Sequence, residues 1–269
     1  MQQVKKGWSV PLESHLAFEL ILIIKGSQFT VLENLEYHLS EGDILLIPPG
    51  FKHINQCLDQ KGLTYFIAHF NVDDTLFHQE MRCNSQLFFH AGTAENQKLK
   101  EGIMKWVYLL EREGEYTTSD LLSIQAGLFE ILLILATQVS TSNRTVVTPS
   151  VNHYARLIAE AIKSNFEVEN LQKEWRKDKD IRIEEIAESL KISSGYALEV
   201  FQKVYGISPR RYLSQLKLQE AKQLVHQPDL ALTSIATMLG YSSLSHFSRQ
   251  FKRWTGMSPR QYRQTTGSV

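Results

Sequence analysis

The sequence predicts a two-domain chain: an N-terminal β-barrel or sandwich with flanking α-helices, then an all-α domain built as a double helix-turn-helix. Three observations predict it. The first ninety residues are short apolar runs rich in β-branched and aromatic side chains, separated by turn residues. From Glu95 the apolar positions switch to helical spacing. A heptapeptide, GISPRRY at 206–212, then returns as GMSPRQY at 256–262, an offset of 50.

The strand runs are LAFELILII, FTVLENLEYHL, DILLIP and LTYFIAHF, punctuated by KGS, SEGD, PPGFKH and DQKG. Short strands at this spacing predict a sandwich or barrel over 1–94. Two helices follow over 95–140. Leu99, Ile103, Trp106, Val107 and Leu110 line the first; Leu121, Ile124, Leu128, Ile131 and Leu135 line the second, with Ser119 or Asp120 as its cap. Residues 141–180 combine a polar linker (STSNRTVVTPS, 140–150), a helical stretch (HYARLIAEAIKSNF) and a charged, solvated connector, ENLQKEWRKDKD at 169–180. Residues 181–266 are helical throughout, cut by Gly, Ser and Pro.

Overall composition is that of a globular protein, 43% hydrophobic and 22% charged with zero formal net charge. The charge is unevenly distributed. From Ile181 onward there are 12 Lys+Arg against 6 Asp+Glu, and the preceding residues carry the opposite excess, which points to a polyanionic partner for the rear domain. Cys57 and Cys83 are too few for a disulfide framework or a thiolate zinc site, and two reduced thiols are expected. The N-terminus has no signal-like apolar run. The apolar stretch 128–139 is 12 residues long and contains Glu130, short of the roughly 20 residues a bilayer requires. A cytoplasmic location with no membrane partner is the expectation.

The repeat explains the C-terminal domain. Phe201, Gly206, Pro209 and Tyr212 fall on Phe251, Gly256, Pro259 and Tyr262, while Ile186-Ala187 falls on Ile235-Ala236 at an offset of 49, one residue being added in the second turn. Each unit is a short helix, a tight turn and a second helix. Ser193 or Ser194 caps the second helix of the first unit, and Ser242 or Ser243 that of the second. Gly206 and Gly256 end a helix. Ser208 and Ser258 then cap the next, with Pro209 and Pro259 at the first helical position, where no N–H is needed. The amphipathic helix PRRYLSQLKLQEAKQLV joins the units and would fix two recognition helices for adjacent major grooves, about 34 Å apart. Arg249, Lys252 and Arg253 fall on or beside the outer face of the second recognition helix; Arg210, Arg211 and Arg260 fall near helix N-termini, where phosphates are attracted.

The stretch IATMLGYSSLSHFSRQFKRWTGMSPRQYR resembles the signature of the AraC/XylS family of bacterial transcription regulators. The resemblance implies a seven-helix DNA-binding domain contacting double-stranded promoter DNA with Gly195, Leu198 and Glu199 in one helix and Leu244, Ser245, Ser248 and Arg249 in the other. Lys252, Arg210 and Arg260 add contacts. Arg249 can pair bidentately with guanine and Glu199 can accept from cytosine N4. Leu198 and Glu199 stand where the family often has a polar residue and then Arg, so the second helix is expected to contribute more affinity.

In the front half, His15, Glu19 and Gly26, with GDILLIPPGFKH ending in His53, resemble the two motifs of the cupin barrel, a jelly roll found in sensor domains of this family. His15 and Glu19, four apart on a strand, would share one face. The resemblance implies a small-molecule effector, with a sugar as the family-level guess, at His15, Glu19 and His53; Trp8 and Tyr65 can supply an apolar or stacking wall for it. In metal-binding cupins such positions hold an ion; no metal or other cofactor is expected here, and if one is held, its ligands are Glu13, His15, Glu19 and His53. His69 and His78 are expected on the surface. No nucleophile elbow or phosphate loop is present. The expectation is a homodimeric, effector-responsive activator, not an enzyme, pairing through its 95–140 helices and working on RNA polymerase. The alternatives are a metal-dependent cupin enzyme fused to a DNA-binding domain, and a regulator with no small-molecule ligand.

Overall fold

The computed structural model describes residues 1–72, 74–83, 86–112, 114–138, 148–171 and 181–266. The chain forms two compact units, one centred on Met1–Thr148 and one that begins at Pro149. The polar linker expected at 140–150 and the charged connector at 169–180 lie mostly outside the described residues.

The N-terminal unit contains β1 (Gln2–Val4), β2 (Phe18–Lys25), β3 (Gln28–Leu32), β4 (Leu35–Leu39), β5 (Ile44–Ile47), β6 (His53–Cys57), β7 (Leu63–Phe70) and β8 (Phe88–Phe89), with α1 (Thr75–Cys83), α2 (Ala94–Glu111) and α3 (Thr118–Thr137). A five-stranded sheet runs β1-β7-β2-β5-β8 and a three-stranded sheet runs β4-β3-β6, a double-sheet jelly roll. Alternation divides the five-stranded sheet. Phe18, Leu20, Leu22, Ile44, Leu46, Phe66 and Phe70 face the helices, burying Leu99, Ile103, Trp106, Val107, Ile131 and Leu135. Ile21, Ile23, Leu45, Ile47, Leu63 and Tyr65 face inward with Leu32, Leu39 and Cys57 of the smaller sheet.

Several elements differ from the sequence-based expectation. FTVLENLEYHL is a hairpin and not one strand, because Glu33 adopts φ 54° between β3 and β4. The turn signal PPGFKH leads directly into β6, whose first residue is His53. β1, α1 and β8 were not anticipated; the two strands are too short to show alternation. The helix around 128–139 is 20 residues long, Thr118–Thr137, and among the described residues it is the one helix long and apolar enough to cross a membrane. The 12-residue length argument therefore fails. Its buried positions Gly127, Ile131 and Leu135 instead serve packing on α2, where a Cβ at Gly127 would come 2.9 Å from Trp106 Nε1. The indole donates to Ile124 O at 3.2 Å.

The cap of α3 is neither Ser119 nor Asp120 but Thr117. Thr117 Oγ1 accepts from Asp120 N while the Asp120 carboxylate accepts from Thr117 N, a reciprocal capping box. Arg112 donates two further bonds to Asp120, at 3.1 and 2.5 Å, and these bonds hold its carboxyl far below the usual range. Thr117→Ala is expected to lower stability by about 1 kcal/mol in chemical denaturation, with Thr117→Ser close to wild type.

The C-terminal unit comprises α4 (Pro149–Leu171), α5 (Ile183–Ser189), α6 (Ser194–Tyr205), α7 (Pro209–His226), α8 (Leu232–Met238), α9 (Leu244–Thr255) and α10 (Pro259–Thr266). α4 packs on α5 and α7. The two helix-turn-helix units are α5–α6 and α8–α9, and their punctuation is matched. Lys191 (φ 57°) and Gly240 (φ 77°) take the left-handed conformation after α5 and α8. Ile192 N and Tyr241 N then donate back to Ala187 O and Ala236 O. Ser193 and Ser243 cap the recognition helices, accepting from Tyr196 N and His246 N at 3.2 Å each. The extra residue of the second unit lies between the left-handed residue and this cap. Ser208 caps α7 with Pro209 behind it, and Gly256 ends α9 at φ 75°.

Candidate nucleic-acid interface and barrel site

α9 is strongly two-sided. Phe247 and Phe251 are fully buried with Ile235, Ala236, Leu239, Ala221 and Val225, which fixes the helix on α7 and α8. Their spacing of four leaves Ser245, Arg249, Lys252 and Arg253 exposed on the opposite side, with Ser248 half-buried at its edge. Leu244, expected among the base-facing residues, is half-buried and packs against the core cluster beside Tyr241. Its apolar side chain gains more from that contact than from water, so only its edge is presented outward.

α6 has the same construction with different surface chemistry. Ala197, Val200, Phe201 and Val204 are buried, and Gly195, Leu198 and Glu199 are exposed. The face thus presents an apolar and an acidic group where α9 presents a guanidinium and an ammonium. Arg260 is exposed in the first turn of α10. Arg210 is exposed in the first turn of α7, but it donates to Glu184 at 2.5 Å and so meets a phosphate only by sharing or releasing that carboxylate. Arg263 turns inward and caps the end of α7, donating to Val225 O and Leu230 O at 2.8 Å each.

In the N-terminal unit, the inward face of β2 carries Glu19 below Ile21 and Ile23. Glu19 is 1% exposed. His15 Nε2 lies 2.7 Å and His69 Nε2 3.0 Å from Glu19 Oε2, and His53 Nε2 lies 3.6 Å from the same oxygen. Glu13 Oε1 is 3.6 Å from His53 Nε2, across the isolated bridge that joins Glu13 to His53. His15 does not share a strand with Glu19. It precedes β2 in a segment pinned by Gly50 N, which donates to His15 O, and its ring is oriented by Ala17 O, 2.8 Å from Nδ1. His53 Nδ1 is 3.1 Å from Phe51 O.

Burial pushes the Glu19 carboxyl up, but the hydrogen bonds from His15 and His69 and the charges of His15 and His53 outweigh it and hold the group at about 2. Burial pushes His53 down; Glu13, Glu19 and the Phe51 carbonyl together leave it raised. The Trp8 and Tyr65 rings meet at 5.5 Å, tilted by 42°, farther along the inward face, with the Tyr65 hydroxyl donating to Gln2 Oε1. Burial and the nearby Glu19 and Glu13 charges push Tyr65 up to about 12.

The five residues assigned to an effector thus share the inward face, and His15, Glu19 and His53 meet. His69 was missed. It is half-exposed, as expected, yet it joins the cluster because β7 pairs with β2 in the register Glu19↔His69. His78, also expected on the surface, is buried and bonds to Val72 O at 2.8 Å. A second buried polar group was not anticipated either: Thr30 donates to Asn55 Oδ1 at 2.8 Å, and Gln28 Nε2 donates to both.

Two family models match the chain, that of an AraC-like ligand binding domain over residues 4–132 and that of a helix-turn-helix domain over residues 186–265. Similar proteins include the Msm operon regulatory protein of Streptococcus mutans, 22% identical over 264 residues (97% of this chain, 89% of the relative). The HTH-type transcriptional activator RhaS of Salmonella agona is 24% identical over 272 residues, with 96% and 89% covered. Among solved structures, ToxT from Vibrio cholerae superposes with a TM-score of 0.60 at 14% identity, covering 99% of this chain and 96% of that one. Its unsaturated fatty acid-bound form gives 0.61 at 15%, covering 99% and 95%. At these identities the likeness is one of fold.

Proposed function

The chain belongs to the AraC family of DNA-binding transcriptional regulators, with a ligand-binding domain in front of the helix-turn-helix domain, and from that premise we propose a homodimeric, effector-responsive activator of promoter transcription. The observation that carries the DNA-binding half is the exposed Ser245–Arg249–Lys252 face of α9, held rigid by buried Phe247 and Phe251. Arg249 reads guanine, Lys252, Arg210 and Arg260 meet phosphates, and α6 supplies a weaker contact through Gly195, Leu198 and Glu199. The output is exerted on RNA polymerase in the cytoplasm, and the barrel senses without performing a reaction of its own. Run-off transcription with purified full-length protein tests activation: added protein is expected to raise transcript from its target promoter, and a fall or no change contradicts it.

For the effector, Trp8, His15, Glu19, His53 and Tyr65 favour a neutral, hydroxylated molecule such as a sugar. The buried Glu19 carboxylate and nearby Glu13 repel an anionic headgroup, whereas half-buried Trp8, packed against core Tyr65, offers an indole to a sugar. Thermal shift with neutral monosaccharides and with oleate separates the classes. Stabilisation by a sugar and not by oleate, lost in Trp8→Ala, is expected; the reverse pattern contradicts the sugar assignment.

Dimerisation is assigned to α3 and the neighbouring face of α2. Leu122, Phe129 and Leu133 lie on one side of α3 and are 59, 71 and 67% exposed, a stripe larger than single scattered apolar residues. Sedimentation velocity is expected to show a dimer for the wild type and a monomer for Phe129→Asp/Leu133→Asp. An unchanged dimer in that variant places the interface elsewhere.

A further inference from the structure

We propose that Gln202, a residue given no role above, is a base-reading residue of α6 and that the base it reads is adenine. The proposal rests on the reading of α6 as a DNA-contacting helix and deepens it by naming the bases of that half-site. It starts from helix geometry. Ala197, Val200, Phe201 and Val204 are buried and hold one side of α6 in the core. At about 3.6 residues per turn the opposite side is Gly195, Leu198, Glu199 and Gln202, the i, i+3, i+4 and i+7 positions of one stripe. All four are exposed, and a Cβ added at Gly195 would meet nothing within 4 Å, so the stripe is open along its length. A helix lying in the major groove presents base edges with a stripe of this spacing. Gln202 is its last member, and among the described residues no hydrogen bond engages its carboxamide.

The chemistry of the stripe selects the bases. A carboxamide carries a donor and an acceptor side by side, which match N7 and the N6 amino group of adenine, a pairing no other base edge in the major groove offers. Leu198 is 42% exposed on the same stripe and gains by leaving water. The apolar group that the major groove offers it is the thymine methyl. Both preferences are met by A·T pairs. The internal repeat sharpens the contrast. At the offset of 50, Leu198, Glu199 and Gln202 fall on Ser248, Arg249 and Lys252, so α9 places two cations where α6 places none. α9 therefore draws on phosphate and guanine contacts, whereas this stripe of α6 adds a readout with no counterions to release. The two blocks of a site are then unequal, A·T pairs under α6 and guanine under α9, and the chain binds in one orientation.

The test selects bound sites from a random duplex pool with full-length wild type, Gln202→Ala and Gln202→Glu in parallel. The wild type is expected to enrich an adenine in the block about one helical turn from the Arg249-dependent guanine. Gln202→Ala is expected to lose that adenine and keep the guanine. Gln202→Glu is expected to exchange adenine for cytosine, whose N4 amino group donates to a carboxylate, a gain that misfolding cannot produce. In mobility shift on the recovered duplex, 7-deazaadenine at that position lacks the N7 acceptor. It is expected to weaken the wild type by about threefold or more and to leave Gln202→Ala unchanged. An adenine retained by Gln202→Ala, or equal weakening of both proteins by 7-deazaadenine, overturns the assignment. The guanine in the same pools tells two failures apart: if it persists, only the role of Gln202 is lost, and if it too is absent, sequence-specific binding by the domain fails with it.

Discussion

Arg249→Ala is expected to weaken binding to a target duplex by about 1–3 kcal/mol, roughly 5- to 150-fold, and to relax the base preference at one position. The size follows from its place. Arg249 is exposed on α9 between buried Phe247 and Phe251, which fix the helix, and no ion pair involves it among the described residues, so its guanidinium is available to the edge of a guanine. Lys252→Ala, on the same face, removes a point charge. It is expected to weaken binding to all sequences about equally and to reduce the slope of affinity against salt by about one phosphate contact. Electrophoretic mobility shift across a series of single-base variants separates the two. Equal loss on every duplex for Arg249→Ala contradicts its role in base readout.

The second large effect is Phe251→Ala, expected to destabilise the C-terminal unit by about 3–5 kcal/mol. Phe251 is fully buried, its ring lies 5.6 Å from Phe247 and 5.3 Å from Tyr262, and it joins α9 to α10 and α8. Truncation leaves a cavity that the four surrounding helices cannot close without moving, and the loss is a large fraction of a domain's total stability. A melting transition of the C-terminal unit lowered by several degrees, with DNA binding lost in parallel, is the expected result. A melt within a degree of wild type contradicts the assigned core.

What could be read in the sequence and what could not divides along contact range. The helix-turn-helix repeat was legible because its signals are local: Ser193, Gly240, Ser243, Ser208, Pro209 and Gly256 each act within a few residues, and the structure uses each as a cap or stop. The jelly roll was legible as a class, since the apolar runs of β2, β5 and β7 are short, strongly hydrophobic and bounded by turn residues. Its short strands were not, because β1 and β8 hold three and two residues. The histidine cluster was half legible. His15, Glu19 and His53 follow a motif spacing, whereas His69 enters through strand register 50 residues from Glu19, which nothing in its own neighbourhood encodes. The role of α3 was obscured for the opposite reason: Glu130 looked like an interruption of an apolar run, but it is an exposed partner of Lys105 at 3.0 Å on an otherwise continuous helix.

The most direct test of the account is selection of bound sites from a random duplex pool by the full-length protein. A recovered motif with two blocks about 10–10.5 base pairs apart, the more informative one containing a guanine whose enrichment disappears in Arg249→Ala, is the expected result. Recovery of no motif, with binding that depends on salt alone, contradicts it.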